Sequence, residues 1–163
     1  MKDEDNCEIS IKRILVPTDG SGQAFKALGQ AIDLARVCEA ELTLLMVVNL
    51  NENVSAFERV SISGQVPAEL KIGAFQFLAE LMHVIPIEIR AHTRVEMGDP
   101  AELITYVAEE EESDLIVMGC RGMSTLKTFF TGTVSQYVMK HAYCPVLLCK
   151  GMPDDWDEED LED

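Results

Sequence analysis

The chain lacks any apolar run long enough to cross a bilayer. Its longest, such as LTLLMVV at 42–48, fall far short of the roughly 20 residues a membrane helix needs. No positively charged start followed by an apolar stretch opens it, so no secretory leader is expected and the chain is expected to be cytoplasmic, with no membrane partner. Cysteine is sparse and unpatterned: Cys7, Cys38, Cys120, Cys144 and Cys149 make an odd count with no CxxC pair. That spacing excludes a disulfide framework and argues against a zinc site, leaving reduced thiols that behave as small hydrophobes. Cys120 stands apart because it neighbours Arg121 in a glycine-rich stretch, where a more exposed and more acidic thiol is the alternative to a small hydrophobe. Basic residues are scarce as well, 13 Lys and Arg against 29 Asp and Glu for a net charge of −16. The last ten residues, DDWDEEDLED, carry eight of those acids, and no basic stripe appears in the remainder. A nucleic-acid partner bound through the general surface is excluded on that ground.

What the chain does contain is one domain's worth of regular pattern. With 163 residues, 47% of them hydrophobic and 26% charged, it can bury a substantial core without staples. IKRILVP (11–17), LTLLMVV (42–48), DLIVMG (114–119) and PVLLC (145–149) read as buried strands. Between the first two, Ala24, Ala27, Leu28, Ala31, Ile32 and Ala35 mark one helical face. Leu70, Ala74, Phe77, Leu78 and Leu81 mark a second helix, and Val134, Tyr137, Val138 and His141 fit a fourth. The third opens at DPAE, with Asp99 as N-cap, Pro100 at the first helical position and Glu102 at the third, followed by Leu103, Ile104, Val107 and Ala108. IEIRAHTRVE (87–96) alternates, with Ile87, Ile89, Ala91, Thr93 and Val95 on one face. It therefore reads as a half-solvated strand near a sheet edge, with Glu88, Arg90 and Arg94 as defensive edge charges and His92 at the surface. EEEESD (109–114) reads as a solvated helix end that frays, since acids oppose the dipole there.

Strands separated by helices predict right-handed crossovers and an α/β fold: a single-domain, doubly wound, five-stranded parallel sheet with four main helices on both faces. The expected boundaries are a disordered N-terminal segment at 1–9, the domain at 10–150 and an acidic, disordered tail at 151–163. The polar segment 49–65 is expected to be a long mobile connection.

In open parallel sheets ligands bind at the carboxyl ends of strands, where the strand order reverses. Two strand ends draw the eye. The first strand runs into PTDGSG (17–22), and the fourth runs into MGCRGMSTLKTFFTGT (118–133), punctuated by Gly119, Gly122 and Gly132. Glycine lets backbone N–H groups approach a phosphate, and a helix start after Gly132 would add further donors. An acidic chain needs such local donors, together with a divalent cation, to hold a polyphosphate at all. Glycines at strand ends serve plain turns as readily, so spacing alone leaves both readings open. Neither GxxxxGK[ST] nor a complete GxGxxG is present.

Gly119, Gly122, Gly132 and Thr133, read as G-2x-G-9x-G-[S/T], resemble the ATP-binding signature of the universal stress protein family. In the family's order, KRILVPTDGS resembles its first strand and Asp loop, ELTLLMVV its second strand, GDPAELI its third helix start and CPVLLC its last strand. Together these pieces cover roughly residues 10 to 150. The resemblance implies strand order 3-2-1-4-5 and a cytosolic ATP-binding stress-response protein acting as a nucleotide-dependent sensor or regulator of a protein partner. A slow ATPase and a nucleotide-free dimeric scaffold are the alternatives. It implies that Pro17, Thr18, Asp19 and Val47 hold the adenine end. Met118, Gly119, Arg121, Gly122, Gly132, Thr133, Val134 and Ser135 would then hold the ribose and phosphates. Mg2+ or Mn2+ would accompany the triphosphate through its oxygens and water, with Asp19 reaching it through water. Pairing of last strands, Pro145 to Cys149, is the implied homodimer. Phe129 and Phe130 read as packing residues, and no catalytic base or triad can be assigned.

Overall fold

The computed structural model describes residues 10–49, 65–120 and 133–150. The expected terminal segments, the connection over 50–64, and Arg121, Gly122, Phe129, Phe130 and Gly132 lie outside the described residues.

Strands and helices alternate: β1 (Arg13–Pro17), α1 (Gly22–Cys38), β2 (Glu41–Val48), α2 (Gln65–Met82), β3 (Ala91–Met97), α3 (Pro100–Glu110), β4 (Leu115–Gly119), α4 (Thr133–His141) and β5 (Val146–Cys149). The strands pair in parallel in the order β3-β2-β1-β4-β5, as the alternating pattern and the resemblance together predict. Side chains alternate across the sheet, so each strand feeds two cores. Ile14, Val16, Leu42, Leu44, Leu115 and Val117 meet the small face of α1 and Ala74, Leu78 and Leu81 of α2. Leu15, Leu45, Ile116 and Met118 meet Ile104, Val107 and Ala108 of α3 and Val138 of α4. All six positions read as the inner face of α1 are buried. The cap read at DPAE is present: the Glu102 N–H donates to Asp99 Oδ1 at 3.0 Å.

Three expectations need correction. β3 starts at Ala91, four residues later than the alternation implied. Pro86 ends the preceding segment, the Ile89 N–H closes a turn on the Pro86 carbonyl at 3.0 Å, and Ile87 stands fully exposed. Alternation is the same in such a turn as in a strand; pairing begins only where the Leu42 N–H reaches the Arg90 carbonyl.

Arg94 is no solvated edge charge. Its guanidinium, 23% exposed, holds Glu96 at 2.7 Å, Glu110 at 2.6 Å and Glu111 at 2.9 Å. Burial alone would lower its pKa, but the hydrogen bonds to those three carboxylates outweigh burial and raise it. His92 is at the surface as read, with its ring nitrogen 3.0 Å from the Thr43 hydroxyl. Thr43 donates its one proton to Glu111 at 2.8 Å, so His92 Nε2 must carry the hydrogen between them.

The acidic end of α3 is consequently pinned instead of frayed. Glu110 and Glu111 are held by Arg94, and Glu112 by Arg13 at 3.0 Å. Asp114 accepts the N–H groups of Lys12 and Arg13 at 2.8 and 2.9 Å. These cations and amides lie on β3 and β1, so the repulsion expected from EEEESD is offset by partners distant in sequence.

Candidate functional site at the strand ends

β1 lies between β2 and β4, so the chain leaves it in opposite directions and a crevice opens at the carboxyl ends of these strands. The loop after β1 is internally bonded. The Thr18 N–H donates to the Leu45 carbonyl at 2.8 Å, carrying the ladder one residue past β1. The Gly20 N–H reaches Thr18 Oγ1 at 3.3 Å, and the Ser21 N–H reaches Asp19 Oδ1 at 2.9 Å. Ser21 then caps α1 by accepting the Ala24 N–H at 3.2 Å. Two amides, those of Gly20 and Ser21, are thereby satisfied within the loop. What it offers outward is the exposed carboxylate of Asp19, suited to a hydrogen-bond donor and repulsive to a phosphate.

Pro17 is buried at the end of β1, and Val47 of β2 packs against the α3 and α4 core. Met118 is 6% exposed, its side chain a member of that same core. Its backbone is paired with β5, in register with Leu148. Gly119 meets α1: a Cβ built on it would stand 3.0 Å from Gln23 Cβ. Cys120 is 4% exposed, with its N–H on the Cys149 carbonyl at 3.0 Å. The strand-to-strand bond that extends β4 beside β5 takes it inside, in keeping with a thiol that packs as a small hydrophobe.

α4 brings the last three predicted residues. Thr133 is exposed and Val134 half-buried; their amides belong to the first turn, whose N–H groups have no intrahelical acceptor. Ser135 is buried, and its hydroxyl donates to the Cys120 carbonyl at 2.9 Å. It braces the end of β4 against α4. Thr133 and Val134 line a cleft of about 330 Å³ between the starts of α3 and α4, closed by Asn49, Asp99, Glu102 and Tyr137. That volume lies at the lower end of small-molecule sites.

Asn49, Glu102 and Tyr137 were missed by sequence reasoning. Asn49 directly follows β2 and Tyr137 lies one turn beyond Thr133 on α4, spacings that could have found them. Asp99 was read as a cap alone. Arg121, Gly122 and Gly132 are outside the described residues. Among the described residues no group of three His, Cys, Asp or Glu side chains is gathered to hold a metal. No described helix is long and apolar enough to cross a membrane.

A family model described as the universal stress protein family matches residues 10–150. A universal stress protein of Methanocaldococcus jannaschii is 32% identical over 158 residues, covering 89% of this chain and 85% of that protein. Among solved structures, the universal stress protein UspA from Lactobacillus plantarum superposes with a TM-score of 0.74 at 27% identity, over 85% of this chain and 97% of that one. A universal stress protein family member from Arabidopsis thaliana with AMP bound superposes with a TM-score of 0.60 at 20% identity, over 93% of this chain and 99% of that one. At that identity the likeness is one of fold.

Proposed function

The chain belongs to the universal stress protein family, and on that premise we propose that it is a cytoplasmic ATP-binding regulator whose contacts with a protein partner depend on the bound nucleotide. The observation that carries this reading is the cleft at the strand ends, where the α4 first turn faces Asn49 just past β2 and Asp99 and Glu102 at the start of α3. Charge orients the nucleotide, with Asp19 on the loop after β1 and outside the lining of the cleft itself. Asp19 suits the amino group of adenine, which donates, where guanine presents an acceptor. Asp99 and Glu102 on the cleft's rim suit ribose hydroxyls and repel phosphates. The triphosphate then turns to the amides of Thr133 and Val134 at the start of α4, while Gly119, Arg121, Gly122 and Gly132 are assigned to it on the family signature alone. Ser135 serves as the brace. The fold accommodates an adenine nucleotide in the Arabidopsis thaliana protein.

A divalent cation, Mg2+ or Mn2+, fits this arrangement as a passenger of the phosphates. Among the described residues no cluster of side chains is gathered to hold it, so phosphate oxygens and water would supply its ligands. The cation would offset the −16 charge of the chain. Association of two copies through β5 belongs to the same reading: Pro145 and Leu147 are exposed on an edge strand whose other side pairs with β4.

Isothermal titration tests it. Mg2+ with ATP is expected to give saturable heat, GTP little, and Gly122→Val none while its circular dichroism matches the wild type. Absence of heat from folded wild-type protein, or equal affinity in the variant, would overturn the assignment.

A further inference from the structure

Gly119 was read as a bared amide; the geometry points to a second task, and we propose that Gly119 is a positioning residue that seats the first turn of α1 against the end of β4 and so fixes where the Asp19 loop stands. A Cβ at this position would lie 3.0 Å from Gln23 Cβ, 3.1 Å from the Gln23 carbonyl carbon and 3.3 Å from the Ala24 nitrogen. Two of those three atoms are helix backbone, so a change of rotamer cannot relieve the contact fully; the first turn of α1 or the end of β4 has to give by a few tenths of an ångström. Conformation is not what demands glycine here. Among the described glycines only Gly20 and Gly98 have positive φ. Gly22, Gly29 and Gly73 would meet nothing within 4 Å. Close approach is the reason.

Both sides of the contact are tied down. On one side, Ser21 caps α1, Asp19 holds the Ser21 N–H, and Thr18 is bonded to β2. Helix and loop form one hydrogen-bonded body, so a displaced first turn carries Asp19 with it. On the other side, Cys120 is bonded to the Cys149 carbonyl and Ser135 to the Cys120 carbonyl, so the end of β4 is held as well. Gly119 therefore sets the spacing between the loop assigned to the base and the chain leading to the phosphates. Its effect on affinity rests on the nucleotide reading above; its packing role stands without it.

The test compares wild type with Gly119→Ala, Gln23→Gly and the double variant, by urea unfolding without nucleotide and by titration with Mg2+ and ATP at a temperature where each is folded. Gly119→Ala is expected to lower the unfolding midpoint and weaken ATP binding by about tenfold or more, the scale on which misplaced groups act. Gln23→Gly alone should leave affinity within about threefold, because it removes no group assigned to the ligand. The double variant lacks the Cβ that the new methyl meets. It should bind ATP at least about threefold more tightly than Gly119→Ala, with a stability loss smaller than the two single losses combined. Restoration is partial, since the two backbone atoms remain. Wild-type affinity in Gly119→Ala, or an affinity loss that Gln23→Gly leaves untouched, overturns the proposal. Should Gly119→Ala fail to fold, the double variant must fold; failure of both also overturns it. Coupled stability losses in a wild type that binds no ATP would remove the nucleotide reading and keep the seating role, whereas uncoupled losses remove that role whatever the titration gives.

Discussion

Gly20 holds the loop after β1 at a φ of +80°, where the Gly20 and Ser21 amides turn back onto Thr18 and Asp19. An L side chain there is strained whatever the space around it. Gly20→Ala is expected to cost about 1–2 kcal/mol in urea unfolding, and Gly20→Asn less, because Asn visits that region more readily. Titratable groups near β5 give a second prediction at this scale. Burial pushes the Cys149 thiol above its ordinary 9.0, with a smaller push from Cys120, and burial likewise raises Cys144. Burial raises the Tyr143 phenol above its ordinary 10.0. Each group keeps its proton longer in the folded chain than in the unfolded one, so above the ordinary values the unfolded chain has lost protons that the folded chain retains. Stability is then full below about pH 8 and falls as pH climbs through and beyond about 9. A series of thermal midpoints from neutral to alkaline pH should show that decline, and Cys149→Ala should make it shallower; an identical slope in the variant would remove Cys149 as a source.

At the level of elements, the end of α3 is held to the sheet by Arg94. Arg94→Met leaves Glu96, Glu110 and Glu111 close together without their cation. A loss of about 1–3 kcal/mol is expected, between the values of exposed and buried pairs. Hydrogen exchange at residues 109–112 should quicken more than in α1; unchanged exchange there would show that the clamp is dispensable. This clamp was illegible in the sequence because its partners are far apart in it: Arg13 with Glu112, Thr43 with Glu111, Arg94 with Glu110. The inner face of α1 was legible because burial and helical period impose the same spacing on Ala24 through Ala35. The turn at 85–90 was not, since alternation around Pro86 reads alike in strand and turn. At the site, the loop 17–22 and the start of α4 could be read from residue types that bond locally. Asn49, Glu102 and Tyr137 come together only once β2, α3 and α4 are placed side by side. Neighbours in sequence left two readings of Cys120 open, and the one that holds is decided by β5, whose Cys149 carbonyl takes its N–H.

For the whole molecule, the strand order leaves β3 and β5 as the two edges. They are unlike. β3 carries polar side chains, with His92 beside Thr43 and Glu96 held by Arg94, and so offers a polar edge to another sheet. β5 presents Leu147, 38% exposed, with Pro145 and Tyr143 exposed beside it. If copies associate through β5, Leu147→Lys should shift sedimentation toward the monomer while leaving Mg2+ and ATP binding intact. A variant that sediments like the wild type would move the interface elsewhere.

Tyr143 bears on how such an association can form. Its hydroxyl lies 3.1 Å from the Ala108 carbonyl and 2.6 Å from the Ser113 carbonyl, on either side of the turn between α3 and β4. The phenol thus latches the terminal helix and strand to their own copy. Trading that segment with a neighbour would require the latch to open in both molecules, so an association through β5 that leaves it closed would be flank to flank.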